Sequence, residues 1–154
     1  DVCSSDLDDD DYYPPESFTK RITNLLHYNK DCVFCSSIGC FHINKYISIM
    51  NVPPHQDAFH ERVSEATLCF KKSFWNKKKF LNDCNGSEGT YFIKDRYSEC
   101  LELEPEEIIV SLLHSSNTST KDLVIDEPNG CHFNFSNNLF SFITKLDNTK
   151  KELI

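Results

Sequence analysis

The sequence predicts an all-β fold: an antiparallel β-sandwich of about eight strands with one N-terminal helix, reinforced by disulfides. From residue 41 onwards, short segments in which apolar and polar residues alternate follow one another and are separated by turn-forming residues. Such runs of strands are typical of a sandwich, because a parallel α/β sheet would need a helix between successive strands. The length of 154 residues fits one domain over 1–154, with an acidic arm at 1–13 and the sandwich at 14–154.

One helix is predicted over 16–28. Its apolar residues fall at i, i+4, i+7 and i+8, so they form one stripe that would face the core. They are Phe18, Ile22, Leu25 and Leu26. Pro15 suits the first helical position, where its missing N–H costs nothing, and the polar residues 29–31 end the helix.

Eight strands are predicted after the helix, over 41–50, 65–71, 90–94, 97–104, 108–113, 123–125, 131–135 and 140–142. The first of them is a long strand, which Pro53-Pro54 closes. Residues 127–130 have the composition of a turn, and Asn137-Asn138 is predicted as the turn of a final hairpin.

The chain has eight cysteines, an even number spread over almost its whole length. We predict that up to four disulfides reinforce the hydrophobic core, each contributing about 2–4 kcal/mol to stability. The cysteines are Cys3, Cys32, Cys35, Cys40, Cys69, Cys84, Cys100 and Cys131. Disulfides persist in oxidising compartments, so the protein is predicted to be secreted, although the sequence does not choose among the roughly 105 possible pairings.

A zinc site is the main alternative for some of these cysteines. Cys32, Cys35, Cys40 and His42 offer four soft ligands within eleven residues. Structural zinc sites usually join two ligand pairs across a longer loop, and zinc would leave the other cysteines unexplained. A redox role for the Cys-x-x-Cys pair would need a thiol at the start of a helix, whereas this pair follows a helix. We therefore predict no metal and no cofactor.

Three Asn-x-Ser/Thr sequons predict N-glycosylation at Asn85, Asn117 and Asn134. The first two lie in polar loops. Asn134 lies between two phenylalanines, so strand alternation directs its side chain away from the core.

The charge balance excludes several classes of partner. With 24 acidic and 16 basic residues the formal net charge is −8, which argues against nucleic acid and against anionic lipid. No apolar run approaches the roughly 18 residues of a membrane span, so membrane insertion is not expected. Because the chain starts without Met or a signal peptide, we expect a processed chain or an excised domain.

The sequence contains no signature of catalysis. None of the six histidines belongs to a His-Glu-x-x-His helix, and neither a Gly-x-Ser-x-Gly elbow nor a phosphate-binding glycine loop is present. We therefore predict that the protein is not an enzyme. The alternative is a secreted, disulfide-bonded hydrolase that uses one histidine and one carboxylate.

Segregated charge points instead to a binding face. Seven acids and no base occupy the first sixteen residues, which are expected to form a flexible arm because their charges repel one another. Tyr12 and Tyr13 follow aspartates, a context typical of tyrosine sulfation. Complementary fields raise association rates, so the arm predicts capture of a basic extracellular protein. A further hypothesis is a structural or dimerising domain whose partner surface is Phe74 and Trp75, ringed by lysines.

The opening forty residues resemble the SECRET domain, the chemokine-binding module at the C-terminus of poxvirus-secreted tumour-necrosis-factor receptor homologues of the Crm type. The similarity lies in Asp8-Asp9-Asp10-Asp11-Tyr12-Tyr13-Pro14-Pro15, in the helix, and in residues 29–42, which read Asn-Lys-Asp-Cys-Val-Phe-Cys-Ser-Ser-Ile-Gly-Cys-Phe-His. The chain also has the length of one such domain. The resemblance implies a secreted β-sandwich that sequesters chemokines, preceded in the full-length protein by cysteine-rich repeats that bind tumour necrosis factor.

Host chemokines are therefore the predicted partners, since they are small, secreted and basic. Their sequestration would block chemokine receptor engagement and leukocyte recruitment. The resemblance supplies no binding motif that maps onto this sequence, so the candidate chemokine-binding residues are chosen by charge. They are Asp8, Asp9, Asp10 and Asp11 in the arm, and Glu61, Glu65, Glu102 and Glu104 on predicted sheet faces.

Overall fold

The computed structural model describes residues 10–81, 88–114, 117, 137–139, 141–142 and 145, together with the backbone of 2–4. Within these ranges the chain forms seven strands and three α-helices, and residues 137–139, 141–142 and 145 are also helical. The strands are β1 (Val2–Ser4), β2 (Cys32–Phe34), β3 (Ile38–His42), β4 (Ile47–Asn51), β5 (Cys69–Lys71), β6 (Cys100–Glu102) and β7 (Val110–Leu113). The helices are α1 (Ser17–His27), α2 (Lys72–Lys77) and α3 (Glu88–Ile93), and short 3-10 helices cover Phe59–Arg62, Glu65–Thr67 and Tyr97–Glu99.

The strands form two small mixed sheets, which confirms the prediction of a β-rich fold. Sheet A has the strand order β1-β5-β2-β6, and sheet B has the order β4-β3-β7. The prediction of purely antiparallel sheets is wrong, because β2 pairs with β6, and β3 with β7, in parallel. Parallel neighbours need a long crossover connection, and both α2 and α3 lie in the connection between β2 and β6.

Sheet A is covered by helices on both faces. One face packs Val33 and Cys69 against Leu25 of α1. The opposite face packs Phe34 and Phe70 against side chains of α2 and α3. Successive residues of a strand point to opposite faces, so the neighbours Val33 and Phe34 are both fully buried. Sheet A is therefore the middle of three layers.

Helix α1 confirms the helix predicted over 16–28, but its buried side differs from the prediction. The residues that face the core are Ser17, Arg21 and Leu25, with Ile22 half-buried beside them. Phe18 and Leu26, which belong to the predicted apolar stripe, are 37% and 61% exposed. Arg21 takes a core position because its guanidinium donates a hydrogen bond to the Ser17 hydroxyl, 2.9 Å away, and lies 4.6 Å from the Phe18 ring centroid.

The strand predicted over 90–94 is wrong, since these residues belong mainly to α3. The buried residues of α3 are Gly89, Phe92 and Ile93, and their spacing of i, i+3 and i+4 is helical. Gly89 also fits the packing, because a Cβ there would lie 2.8 Å from Cγ of Glu65. The backbone N–H of Gly89 donates to Oε1 of Glu65 at 2.6 Å.

An aromatic cluster, defined by Phe70, Phe74, Phe80 and Phe92, fills the space between sheet A and the helices α2 and α3. The ring centroid of Phe92 lies 5.0 Å from that of Phe70, 5.2 Å from that of Phe74 and 4.1 Å from that of Phe80. Helix α2 has no counterpart among the predicted elements. It places Phe74 in this cluster.

The long strand predicted over 41–50 is a hairpin, in which β3 and β4 are antiparallel with His42 opposite Ile47. Tyr46 closes the turn with a φ of 56° and donates its backbone N–H to the His42 carbonyl at 2.9 Å. The apolar residues keep the same alternation on both sides of the turn. Periodicity therefore could not distinguish one strand from two.

Three predicted strands are present in shortened form: β5 within 65–71, β6 within 97–104 and β7 within 108–113. The hairpin turn predicted at Asn137-Asn138 is wrong, because 137–139 and 141–142 are helical. Leu139 is buried there against residues of β7. The strands predicted at 123–125 and 131–135 lie outside the described residues.

The acidic arm is attached to both sheets, in contrast to the flexible arm that its charge predicts. Its first described residues form β1, which adds to the edge of sheet A by pairing with β5. Its other end reaches sheet B, where Tyr12 and Val110 exchange backbone hydrogen bonds of 3.0 and 2.9 Å. Backbone pairing to neighbouring strands thus offsets the repulsion among the aspartates at both described ends of the arm.

Candidate functional site

Two of the four arm aspartates in the predicted site bind to the protein itself. The carboxylate of Asp11 accepts the backbone N–H of Leu112 at 2.9 Å. The carboxylate of Asp10 lies 3.2 Å from Nε2 of His114 and accepts the side-chain amide of Asn117 at 3.2 Å. Asp8 and Asp9 lie outside the described residues.

Three of the four predicted glutamates also have internal contacts. The carboxylate of Glu102 accepts the Ser36 hydroxyl and lies 3.6 Å from Nη2 of Arg62. Glu65 accepts the backbone N–H of Gly89, as described above, and Glu61 accepts the backbone N–H of Ala58 at 2.9 Å. These carboxylates therefore help to fix local structure.

Four exposed acidic residues lie in the segments that meet at the start of α1. We name this group the acidic end and define it as Glu16, Glu104, Glu106 and Glu107, all of which are exposed. The loop that carries the last three joins β6 to β7 and packs on the first turn of α1, where the Ser17 hydroxyl donates to the carbonyl of Ile108 at 2.5 Å. Glu104 is thus the one residue of the predicted site that belongs to this group.

Within the described part of the chain, the basic side chain that contacts the acidic end is Lys20. Its ammonium donates to the carbonyl of Glu106 at 2.5 Å and lies 3.7 Å from the carboxylate of Glu107. One ammonium group against four carboxylates leaves a local excess of negative charge. Such exposed charges attract a basic partner over about one Debye length, or roughly 8 Å at physiological salt.

Aromatic surface adjoins the acidic end on the same helix. Phe18 is 37% exposed and stacks on Tyr13, with 6.3 Å between the ring centroids. Tyr13 is half-buried, and so is Tyr12, whose ring lies 5.7 Å from that of Phe142. Sulfation of the two tyrosines stays a prediction, and it would have to act on these half-buried rings.

The aromatic surface predicted around α2 differs from what the structure shows. Phe74 is fully buried in the aromatic cluster, and Trp75 is half-buried beneath Lys79, whose ammonium lies 4.4 Å from the Trp75 ring centroid. Lys77 pairs with Glu99 and lies 3.5 Å from Asp31. The surface proposed for dimerisation is therefore largely part of the core.

Five of the eight cysteines lie in the described part of the chain, and all five are buried: Cys32, Cys35, Cys40, Cys69 and Cys100. The structure places no disulfide between any two of these five. The prediction of up to four disulfides stays a prediction, because three of the eight cysteines lie outside this group. Cys84 and Cys131 lie outside the described residues, as does the side chain of Cys3.

The zinc alternative is not supported by the positions of its ligands. Cys32 packs in the core on the α2 and α3 side of sheet A, whereas Cys35 and Cys40 pack in a separate cluster with Ile109. Within the described residues, no three histidine, cysteine or acidic side chains come together as a metal site would require.

His114 lies beside Asp10, with 3.2 Å between its Nε2 and the carboxylate. Asn117, one of the predicted glycosylation sites, completes this group: its side-chain amide donates to Asp10 and also to the carbonyl of Leu112 at 3.2 Å. Both amide hydrogens are thereby used, and a glycan would replace one of them. Asn85 and Asn134 lie outside the described residues.

No known protein family matches the chain, and neither does any curated protein or solved structure. The longest described helix, α1, has 11 residues, and no described helix has the length and hydropathy needed to cross a membrane.

Sequence reasoning missed three members of the acidic end as site residues: Glu16, Glu106 and Glu107. The sequence could have predicted Glu106 and Glu107, because only Pro105 separates them from Glu104, which was in the predicted site. Glu16 could not be added without knowing that the first turn of α1 packs on the loop between β6 and β7.

Proposed function

We propose that the chain is a secreted viral decoy domain that binds and sequesters host chemokines, blocking chemokine receptor engagement and leukocyte recruitment. The observation that carries this proposal is the acidic end, which adjoins exposed aromatic surface on α1. The resemblance of the opening forty residues to the SECRET domain supports the same partner class. The resemblance implies a β-rich fold, which is the class observed, and the β-sandwich itself is part of the proposal.

The acidic end would act mainly by steering and orienting the partner. Its carboxylates are exposed, and charges at the rim of an interface raise the association rate more than they raise the affinity. Affinity comes largely from side chains that become buried in the interface. Phe18 is the exposed aromatic side chain on α1 that would serve as such an anchor. Chemokines carry a net positive charge, so their approach to this end of the molecule is favoured.

Binding of a chemokine panel on a sensor surface tests the proposal directly. We expect several basic chemokines to bind, with association rates that fall between about 0.05 and 0.5 M salt because screening shortens the reach of the field. Absence of binding by every member at micromolar concentration would show that the proposal is wrong.

A pair of charge-matched variants tests the position of the site. The first replaces all four residues of the acidic end: Glu16→Gln, Glu104→Gln, Glu106→Gln and Glu107→Gln. The control replaces four acids that belong neither to the acidic end nor to the predicted site: Asp57→Asn, Asp83→Asn, Glu88→Gln and Asp95→Asn. Both variants change the net charge equally, so the difference between them reports local contacts. At about 0.2–1 kcal/mol for each exposed pair, the first should bind roughly tenfold more weakly than the control. Equal binding by the two variants would show that the acidic end is not the binding site.

A further inference from the structure

Cys32 and Cys100 lie directly opposite each other on the neighbouring parallel strands β2 and β6. Both are buried, and both belong to the same face of sheet A, in the core that contains the aromatic cluster. The structure therefore brings together two cysteines that are 68 positions apart in the sequence.

The other described cysteines lack this relationship to either of the two. Cys69 packs on the opposite face of sheet A, against α1. Cys35 and Cys40 belong to a separate cluster with Ile109. Adjacent strands lie about 4.8 Å apart, which falls inside the roughly 4.4–6.8 Å range of Cα separations that disulfides span. Among the described cysteines, Cys32 and Cys100 are thus the pair that lies both in register and on the same face of the sheet, as a disulfide requires.

We propose that Cys32 and Cys100 form a disulfide that joins β2 to β6. The two thiols together lose two protons and two electrons as the S–S bond forms. An external disulfide, either glutathione disulfide or the active-site disulfide of a thiol oxidoreductase, takes up both and is cleaved to two thiols. This bond does not depend on chemokine binding.

The bond forms before the strands close over the two sulfur atoms. Disulfide exchange requires a thiolate, and burial in the folded protein raises the pKa of Cys32 well above its ordinary value. The folded, reduced protein should therefore oxidise slowly, whereas a chain that folds in the presence of the oxidant acquires the bond. Because β6 leads directly into the loop of Glu104–Glu107, the bond also anchors one side of the acidic end.

Peptide mapping of the full chain tests the pairing without any mutation. The reduced, denatured chain is refolded in a mixture of reduced and oxidised glutathione, its remaining thiols are alkylated in denaturant, and it is cleaved with trypsin without reduction. We expect the peptide 31–45 to be linked to the peptide 97–121, with fragmentation placing the bond on Cys32. Alkylated Cys100, or Cys100 linked to any other cysteine, including Cys35 or Cys40, would overturn the proposal.

Single variants and a control confirm the assignment. Cys32→Ser and Cys100→Ser should each abolish the linked peptide pair, whereas Cys35→Ser, which alters another buried thiol, should retain it. The timing is tested on the wild-type chain by adding glutathione disulfide either to the folded reduced protein or to the denatured chain at the start of refolding. We expect the linked pair to form at least about tenfold more slowly in the folded protein. Equal rates would contradict closure before burial.

Discussion

Sheets A and B are stabilised by different kinds of contact. Sheet A lies between helices, and its strands bury apolar side chains on both faces. Sheet B also has a buried core, but the outer edge of β7 is completed by hydrogen bonds from the arm, through the Tyr12 backbone and the Asp11 carboxylate. Both sheets thus have an apolar core and an edge paired with the arm, but only at sheet B does a described acidic side chain, the Asp11 carboxylate, take part in that pairing.

The Asp11 contact shows why the sequence context of an acidic residue does not determine its role. Asp11 occurs in the most acidic stretch of the chain, yet its carboxylate is bound to the backbone of β7. Glu106 occurs in a milder context, yet its side chain is exposed in the acidic end. The backbone groups at a strand edge, rather than the local density of charge, decide which carboxylates are left to face a partner.

The largest effect is expected for truncation of the aromatic cluster beside sheet A. Phe92→Ala removes a fully buried ring that lies within 5.2 Å, centroid to centroid, of three other rings. The lost burial and the resulting cavity should lower the free energy of unfolding by about 3–5 kcal/mol, measured by denaturant titration.

Tyr97→Ala is the matched control for this prediction, because Tyr97 is 72% exposed. Its effect should stay within about 0.5 kcal/mol. Equal losses from the two substitutions would show that the aromatic cluster does not form the stabilising core of this region.

An intermediate effect is expected where the arm binds sheet B. Asp11→Ala leaves the Leu112 N–H without its carboxylate acceptor, so the free energy of unfolding should fall by about 1–3 kcal/mol. Amide hydrogen exchange at Leu112 should accelerate at the same time. Asp11→Asn keeps an oxygen acceptor of nearly the same shape and should lose less. If neither substitution changes stability or exchange, the arm does not contribute to sheet B.

The sequence predicted α1 and the β-rich class because both depend on local patterns. Alternation and helical spacing are set by nearest neighbours along the chain, so the position of α1 and the core of β7 could be predicted. The same local patterns failed at α3, where Phe92 and Ile93 are consecutive and buried, and at the β3–β4 hairpin, where the alternation continues through the turn.

The rest depends on contacts between residues far apart in the sequence. Arg21 is buried although it is charged, since its guanidinium donates to the carbonyl of Thr67, 46 positions away, at 3.4 Å, in addition to its local contacts with Ser17. Burial lowers the pKa of Arg21 from its ordinary value, which is the cost of this position. The members of the acidic end likewise could not be predicted from local sequence, because the loop after β6 packs on the first turn of α1 only in the folded chain.

The smallest effect is expected for the ion pairs at the end of sheet A. The carboxylate of Asp31 lies 2.8 Å from the ammonium of Lys71 and 3.5 Å from that of Lys77. The hydrogen bond from Lys71, followed by the charges of both lysines and opposed in part by burial, lowers the pKa of Asp31. Partly exposed pairs of this kind contribute about 0.2–1 kcal/mol, so Asp31→Asn should cost that much at neutral pH.

The pH dependence of this pair has a definite sign. Since the pKa of Asp31 is lower in the folded than in the unfolded chain, the unfolded chain binds more protons between the two values. The contribution to stability is therefore complete above the unfolded pKa and is lost as the pH falls through the folded pKa. Denaturant titrations should show the difference between wild type and Asp31→Asn shrinking over this acidic range, whereas a difference that grows on acidification would mean that the carboxylate is not stabilised in its charged form. In that case the ion pairs of Asp31 would not contribute to the stability of sheet A.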